Sequence, residues 1–224
     1  MGHLILFALI ASLGIFVQSL FGFAGSLTAI PLFALFFAPR EAVPAYNLVM
    51  LVMDVWLVFE ARSHIQWSRV TRLLAGAFCG IPIGAYALKY LPTAVMSAGI
   101  SVVTCLFCIM YLLKIRPALR ENTSTQLGVG FVSGILHGSI SQSGPPVIMY
   151  VLMRDWGKDT SRATLLSYFL CLCSMTLVVY GRMGLITQRS VLSASTALVP
   201  AFAASLAGIA LKRRISEGSF RVIS

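Results

Sequence analysis

Residues 122–153 read NTSTQLGVGFVSGILHGSISQSGPPVIMYVLM, a stretch of 32 residues without Asp, Glu, Lys or Arg. As a single helix this stretch would be about 48 Å long, at about 1.5 Å per residue, whereas the hydrocarbon core of a bilayer is about 30 Å thick. Its middle, residues 138–146, consists of Gly, Ser, Gln and Pro apart from Ile140. Since a Pro pair can start a helix but cannot continue one, the stretch predicts a hairpin of two helices that returns to the side it came from.

A second stretch of this kind lies near the start of the chain. Residues 4–38 carry no charged side chain, would form a helix of about 53 Å, and are interrupted near the middle by Gly22-Phe-Ala-Gly-Ser. Further apolar stretches, each with at most one charge, are long enough for single crossings, and they show none of the alternation of a barrel strand. These stretches are residues 42–59, 73–88, 90–113, 163–181 and 190–211. The predicted fold class is an all-α membrane protein.

The composition supports this class. Of the 224 residues, 58% are apolar and 11% are charged, against about 25% charged in an average soluble domain. The net charge of +10 comes from short basic clusters between the apolar stretches rather than from one basic surface. We therefore exclude a soluble enzyme and a nucleic-acid-binding domain, and we expect the lipid bilayer as the surrounding partner.

The distribution of Lys and Arg tests the two hairpins. If both hairpins return, one face of the membrane receives 13 of the 17 basic residues; if each long stretch crosses once, the division is 8 against 9. Because cytoplasmic loops collect Lys and Arg, the returning hairpins are favoured, with the N-terminus outside. The 13 are Arg62, Arg69, Arg72, Lys114, Arg116, Arg120, Arg154, Lys158, Arg162, Lys212, Arg213, Arg214 and Arg221.

The order of the segments repeats within the chain. Each half has a broken hairpin followed by about three single helices, so the second half is predicted to be upside down relative to the first. Inverted repeats of this kind are typical of secondary transporters, whose binding sites lie where helices are broken near the membrane midplane. We predict a first repeat over residues 1–113, a cytoplasmic linker over 114–125 and a second repeat over 126–224 with a truncated last helix.

The breaks are the predicted binding site. A helix that begins at a break presents backbone N–H groups without partners, and its dipole adds about half a positive charge, so two such ends from inverted halves can bind an anion. The alternative is that the small residues only allow close packing, as we expect for Gly130-x-x-x-Gly134-x-x-x-Gly138. The candidate residues are Gln18, Gly22, Gly25, Ser26, Asn47, His137, Ser141, Gln142, Ser143, Gly144 and Pro145.

Four polar residues leave more than one interpretation open. Asp54 lies within an apolar helix and either couples transport to protons or forms a structural hydrogen bond. His137 is either a titratable ligand of the anion or a histidine paired between helices. Asn47 donates to the anion, caps its helix or packs, while Arg162 is a cytoplasmic anchor or draws anions inward.

The second break also carries a resemblance. Residues 130–150, GFVSGILHGSISQSGPPVIMY, resemble the second-half motif of the sulfite exporter TauE/SafE family, and Arg162-Ala-Thr and residues 211–221 are similar to that family as well. In the first half, Gly22-Phe-Ala-Gly-Ser followed by Pro31 matches its weaker pattern. The resemblance implies transport of small sulfur-containing anions across the bacterial inner membrane. Ser141, Gln142 and Ser143 make the break more polar than the family motif, as does His137.

These observations predict a secondary transporter for a small anion such as sulfite, thiosulfate or an organosulfonate. In this prediction the two halves rock to open alternate sides, with protons as a candidate coupling ion. The alternatives are an anion channel and a non-transport membrane subunit of a larger complex. No catalytic motif is present, so we expect no enzyme activity, no cofactor and no metal. The sequence leaves the oligomeric state open, a homo-oligomer included.

Overall fold

The computed structural model describes residues 2–113, 122–152 and 157–212, and all regular structure in these residues is helical. Six of the helices are long and apolar enough to cross a membrane. The predicted all-α membrane fold is therefore confirmed. In chain order the helices are α1 (Gly2–Phe21), α2 (Gly25–Phe36), α3 (Pro39–Ala61), α4 (Trp67–Tyr90), α5 (Thr93–Leu112), α6 (Thr123–Ile140), α7 (Gly144–Leu152), α8 (Lys158–Met183) and α9 (Gln188–Lys212).

Both predicted helix breaks are present. Three residues separate α1 from α2 and three separate α6 from α7, which begins at Gly144, one residue before the predicted Pro145. The backbone is left-handed at Gly22, Ala24 and Ser141, with φ of 80°, 69° and 53°. Because a right-handed helix cannot contain such residues, α1 ends before Gly22, α2 begins after Ala24 and α6 ends before Ser141.

The helices α4 and α6 pack with their backbones in close approach. A Cβ atom added at Gly130, Gly134 or Gly138 of α6 would lie 2.0, 2.4 or 2.4 Å from a carbonyl oxygen of α4. The packing role predicted for this stripe is confirmed, and α4 carries a matching stripe that the sequence analysis missed. Its glycines, whose added Cβ atoms would lie 2.1–2.2 Å from carbonyl oxygens of α6, are Gly76, Gly80 and Gly84.

Two helices form the centre of the described structure. α3 contacts α8 and α9, and α8 also contacts α4, while α1 packs along α9. In the most apolar 18-residue window of the segment Pro39–His64, which contains α3, 61% of the residues are buried. The corresponding value is 67% for α8 and 11% for α5. α3 and α8 are therefore enclosed by protein, whereas α5 lies at the periphery.

Part of the predicted domain organisation lies outside the described residues. This applies to residues 114–121 of the predicted linker and to residues 213–224, where the truncated last helix is expected. The boundaries of the two predicted repeats remain predictions.

Candidate functional site

One central helix, α3, contacts both breaks. Asp54 of α3 accepts a hydrogen bond of 2.5 Å from Nε2 of Gln18, which lies one turn before the first break. Asn47 of α3 donates through Nδ2 to the hydroxyl of Ser141 in the second break. Asn47 and Asp54 are seven residues, or about 10 Å, apart along the helix and lie on either side of its middle residue, Met50. Gln18, beside the first break, and Ser141, in the second break, therefore both bond to α3 within two turns of its middle.

Buried polar atoms surround the first break. Gln18, Tyr46 and Asp54 are at most 1% exposed. A Cβ atom added at Gly25 would lie 2.4 Å from Oε1 of Gln18, and one added at Gly14 would lie 2.5 Å from the hydroxyl of Tyr46. In the described part of the chain, Gln18 Oε1, Tyr46 Oη and Asp54 Oδ2 have no hydrogen-bond partner. Since buried polar groups are normally paired, this cluster has capacity for a proton or a ligand.

A chain of hydrogen bonds orients the second break. Nδ1 of His137 lies 3.0 Å from the hydroxyl of Ser143, and the carbonyl of Ser143 accepts a bond of 3.0 Å from Ser133. Tyr168 of α8 donates to the Ser133 hydroxyl at 2.9 Å. The other ring nitrogen of His137 is buried and has no partner among the described residues. The ring is thus held through Nδ1, which leaves Nε2 available to a ligand.

The amide of Asn47 is held on both sides. Its Nδ2 donates to the carbonyl of Val43 at 2.9 Å as well as to Ser141. Sγ of Cys173, on α8, lies 3.4 Å from Oδ1 of the same amide. One N–H group of Asn47 is therefore bound to its own helix, and the other binds Ser141 and positions that hydroxyl in the second break.

Several predicted residues lie away from a common centre. Gln142 donates to Thr104 of the peripheral helix α5 at 2.8 Å. Gly22 faces the side chain of Arg162, because an added Cβ atom would lie 2.5 Å from Cγ of that arginine. Ser26 is buried in the first turn of α2. For Gly144 and Pro145, in the first turn of α7, the structure describes the backbone only.

The two breaks supply different donors. The first three residues of α2 precede its first intrahelical hydrogen bond, which Thr28 donates to Ala24 at 3.0 Å, so their amides have no partner within the helix and can bind a ligand. In α7 the second and third residues, Pro145 and Pro146, have no N–H group. The first break therefore offers backbone donors, while the second offers side chains, above all Nε2 of His137 and the Ser141 hydroxyl.

Arg162 is a functional candidate that the sequence analysis did not place at a break. Its side chain is 5% exposed, and its Nη1 lies 2.6 Å from Oε2 of Glu60. Its Nη2 lies 3.4 Å from the carbonyl of Ser19, and its methylene groups fill the space beside Gly22. A basic residue at the end of an apolar stretch gives no sequence signal of burial, because most such residues face water.

Comparison with known proteins identifies the family of the chain. The profile of the family described as sulfite exporter TauE/SafE matches residues 6–224, which is nearly the whole chain. Searches of curated proteins and of solved structures give no match. The family match confirms the resemblance found in the two break motifs and accounts for the membrane-spanning helices on either side of them. The chain thus belongs to the sulfite exporter TauE/SafE family.

Proposed function

We propose that the protein is a secondary transporter that moves a small anion of the sulfite, thiosulfate or organosulfonate class across the bacterial inner membrane by alternating access. The observation that carries this proposal is the pair of helix breaks whose buried polar residues, Gln18 and Ser141, bond to α3 near its middle. Broken helices near the midplane are where secondary transporters bind substrate. Membership of a sulfite exporter family supports transport of an anion in general.

The anion is bound by fixed dipoles and hydrogen-bond donors. At the first break, the free amides at the start of α2 and the positive end of its dipole attract the negative group. At the second break, the Ser141 hydroxyl, which Asn47 positions, and Nε2 of His137 supply donors to the oxygen atoms. The Ser143 hydroxyl donates to Nδ1 and so keeps the proton of the ring on Nε2. Neutral donors bind an oxoanion without holding it so tightly that it cannot leave, which suits a carrier.

Alternating access is supported by the pattern of helix contacts. In the two predicted repeats, α1 corresponds to α6, α3 to α8 and α4 to α9. The contact of α1 with α9 then corresponds to that of α6 with α4, and the contact of α3 with α9 corresponds to that of α8 with α4. All four pairs are in contact. This correspondence is expected of two related halves, and the basic residues favour an orientation with the N-terminus outside.

Coupling to protons is proposed for the Gln18–Asp54 pair. A carboxylic acid and a primary amide can form two hydrogen bonds with each other, in which the amide N–H and the acid O–H both donate. The bond from Gln18 to Oδ1 is present, and the two atoms left without partners, Oδ2 of Asp54 and Oε1 of Gln18, are those of the second bond. A proton on Oδ2 supplies the missing donor and removes the buried negative charge that would repel the anion.

A flux panel tests the function. Purified protein in liposomes is assayed with sulfite, thiosulfate, an organosulfonate and a carboxylate, with and without a pH gradient. We expect saturable flux of at least one sulfur anion and accumulation against its gradient when the pH gradient is applied. Flux that follows voltage and ignores the pH gradient indicates a channel, and the absence of flux for all sulfur anions contradicts the proposal.

Asn47→Asp tests the donors of the second break. The substitution keeps the size of the side chain but replaces the N–H group that binds Ser141 by a carboxylate, which no longer positions that hydroxyl and repels an anion. We therefore expect the half-saturating anion concentration to rise at least about tenfold, or about 1.4 kcal/mol. Asn122→Asp is the matched control. Asn122 caps α6 by accepting from the Thr125 amide at 2.7 Å, a role that Asp fills equally well. Equal affinities in the two variants would remove Asn47 from the site.

A further inference from the structure

We infer that the Glu60–Arg162 ion pair is a gate through which the anion reaches the first break, and that the anion takes the place of the Glu60 carboxylate on the guanidinium. This inference rests on the proposed transport function and adds a route and a charged binding group to it. The ion pair lies toward the C-terminal end of α3. In the proposed orientation this is the cytoplasmic side.

A pocket leads to the ion pair from the surface. It lies between α3 and α9 and has a volume of about 520 Å³. Glu60 and Arg62 line it, as does Trp56, whose buried indole N–H has no partner among the described residues. A cation and an unpaired N–H donor suit an arriving anion, since both stabilise negative charge. The remaining lining residues are Phe59, Leu206, Ile209 and Ala210.

Arg162 connects this pocket to the first break. On one side its Nη1 binds Glu60, which lines the pocket. On the other side its methylene groups touch Gly22, and its Nη2 lies 3.4 Å from the carbonyl of Ser19. The guanidinium is therefore positioned to receive an anion from the pocket and to present it to the break beyond.

The exposure of the two side chains decides which one moves. Glu60 is 28% exposed, whereas Arg162 is 5% exposed, so Glu60 can turn into the pocket while Arg162 stays in place. A buried guanidinium without a counter-charge is strongly unfavourable, and replacement of one anion by another keeps it neutralised throughout. Nε of Arg162, which has no partner among the described residues, provides a second donor for an oxoanion. The return of Glu60 then releases the anion, so the carboxylate acts as an internal competitor.

Glu60→Gln tests the competition. Sulfite and thiosulfate are supplied in parallel to liposomes of known protein orientation, from the side of the C-terminal end of α3 and from the opposite side. Because the competing charge is gone, we expect the half-saturating concentration to fall about three- to tenfold on the first side only. Glu41→Gln is the matched control, since Glu41 lies at the other end of α3 in an exposed pair with Arg189 at 3.8 Å. An unchanged value, or the same change on both sides, overturns the inference.

The double variant Glu60→Gln with Arg162→Gln separates the gate from a structural ion pair. If the ion pair only stabilises the fold, the two Gln side chains of the double variant can bond to each other in its place, and transport should be as in the wild type. We expect instead a protein that is monodisperse in detergent and has lost at least about 90% of its flux from the α3 C-terminal side. Restored flux overturns the gate. If the wild-type protein transports neither sulfite nor thiosulfate, the proposed transport function itself fails. If the wild type transports them and Glu60→Gln has the same half-saturating concentration, only the gate is refuted.

Discussion

Asp54→Asn is expected to keep exchange of the anion across the membrane and to lose accumulation driven by a pH gradient. The new side chain places an N–H donor where Oδ2 was, so it bonds permanently to Oε1 of Gln18 and imitates the protonated acid. The carrier then cycles with substrate but carries no proton. We expect exchange within about twofold of the wild type, and accumulation no higher than without a gradient.

Two controls accompany this variant. Asp159→Asn makes the same chemical change at an exposed residue in the first turn of α8, where the carboxylate lies 3.9 Å from Lys212. It should accumulate substrate as the wild type does. Retention of the elution volume and helical circular dichroism shows that Asp54→Asn is folded. Normal gradient-driven accumulation by a folded Asp54→Asn protein would limit Asp54 to a structural hydrogen bond.

Gly134→Ala, in the middle of the glycine stripe of α6, is expected to be strongly destabilising. The added Cβ atom would lie 2.4 Å from the carbonyl oxygen of Ala77 and 2.8 Å from its Cα atom. Both are backbone atoms, so α4 and α6 must move apart to accommodate one methyl group. We expect a loss of about 3 kcal/mol, at the upper end of the cost of overpacking, seen as a lower thermal unfolding temperature in detergent.

Gly128→Ala provides the matched control on the same helix. Gly128 has no atom within 4 Å of an added Cβ, and Ala is favoured over Gly in a helix by up to about 1 kcal/mol. The control variant should therefore be as stable as the wild type or slightly more stable. Equal unfolding temperatures for the two variants would contradict the close α4–α6 contact.

The helices were predictable because local chemistry determines them. Uninterrupted apolar stretches give the spans, and the Pro pair of the second break prevents α6 from continuing through it. The stripe from Gly130 to Gly138 was assigned to packing from its four-residue spacing alone, and the structure confirms that role. The stripe on α4 has the same spacing, at Gly76, Gly80 and Gly84, and the same reasoning could have found it.

The partners of the polar residues were not predictable, because they come from other parts of the chain. Asp54 was recognised as a buried carboxylate, but nothing in the sequence connects it with Gln18, 36 residues earlier. Gln142 belongs to the second break by position, yet its amide bonds to Thr104 of α5. Arg162 reaches Glu60 across 102 residues. Pairings of this kind depend on helix packing, which hydrophobicity and spacing alone do not define.

The interlocked glycines have a consequence for how the carrier can move. α4 comes from the first half of the chain and α6 from the second, and their backbones touch without side chains between them. Tightly packed interfaces shift between discrete arrangements rather than stretching. We therefore expect two rigid bodies to rotate relative to each other, each made of helices from both halves of the chain. One contains α4 and α6, the other contains α1 and α9, and α3 with α8 forms the axis between them. The unit of motion is then a composite of both repeats, and neither repeat travels as a separate block.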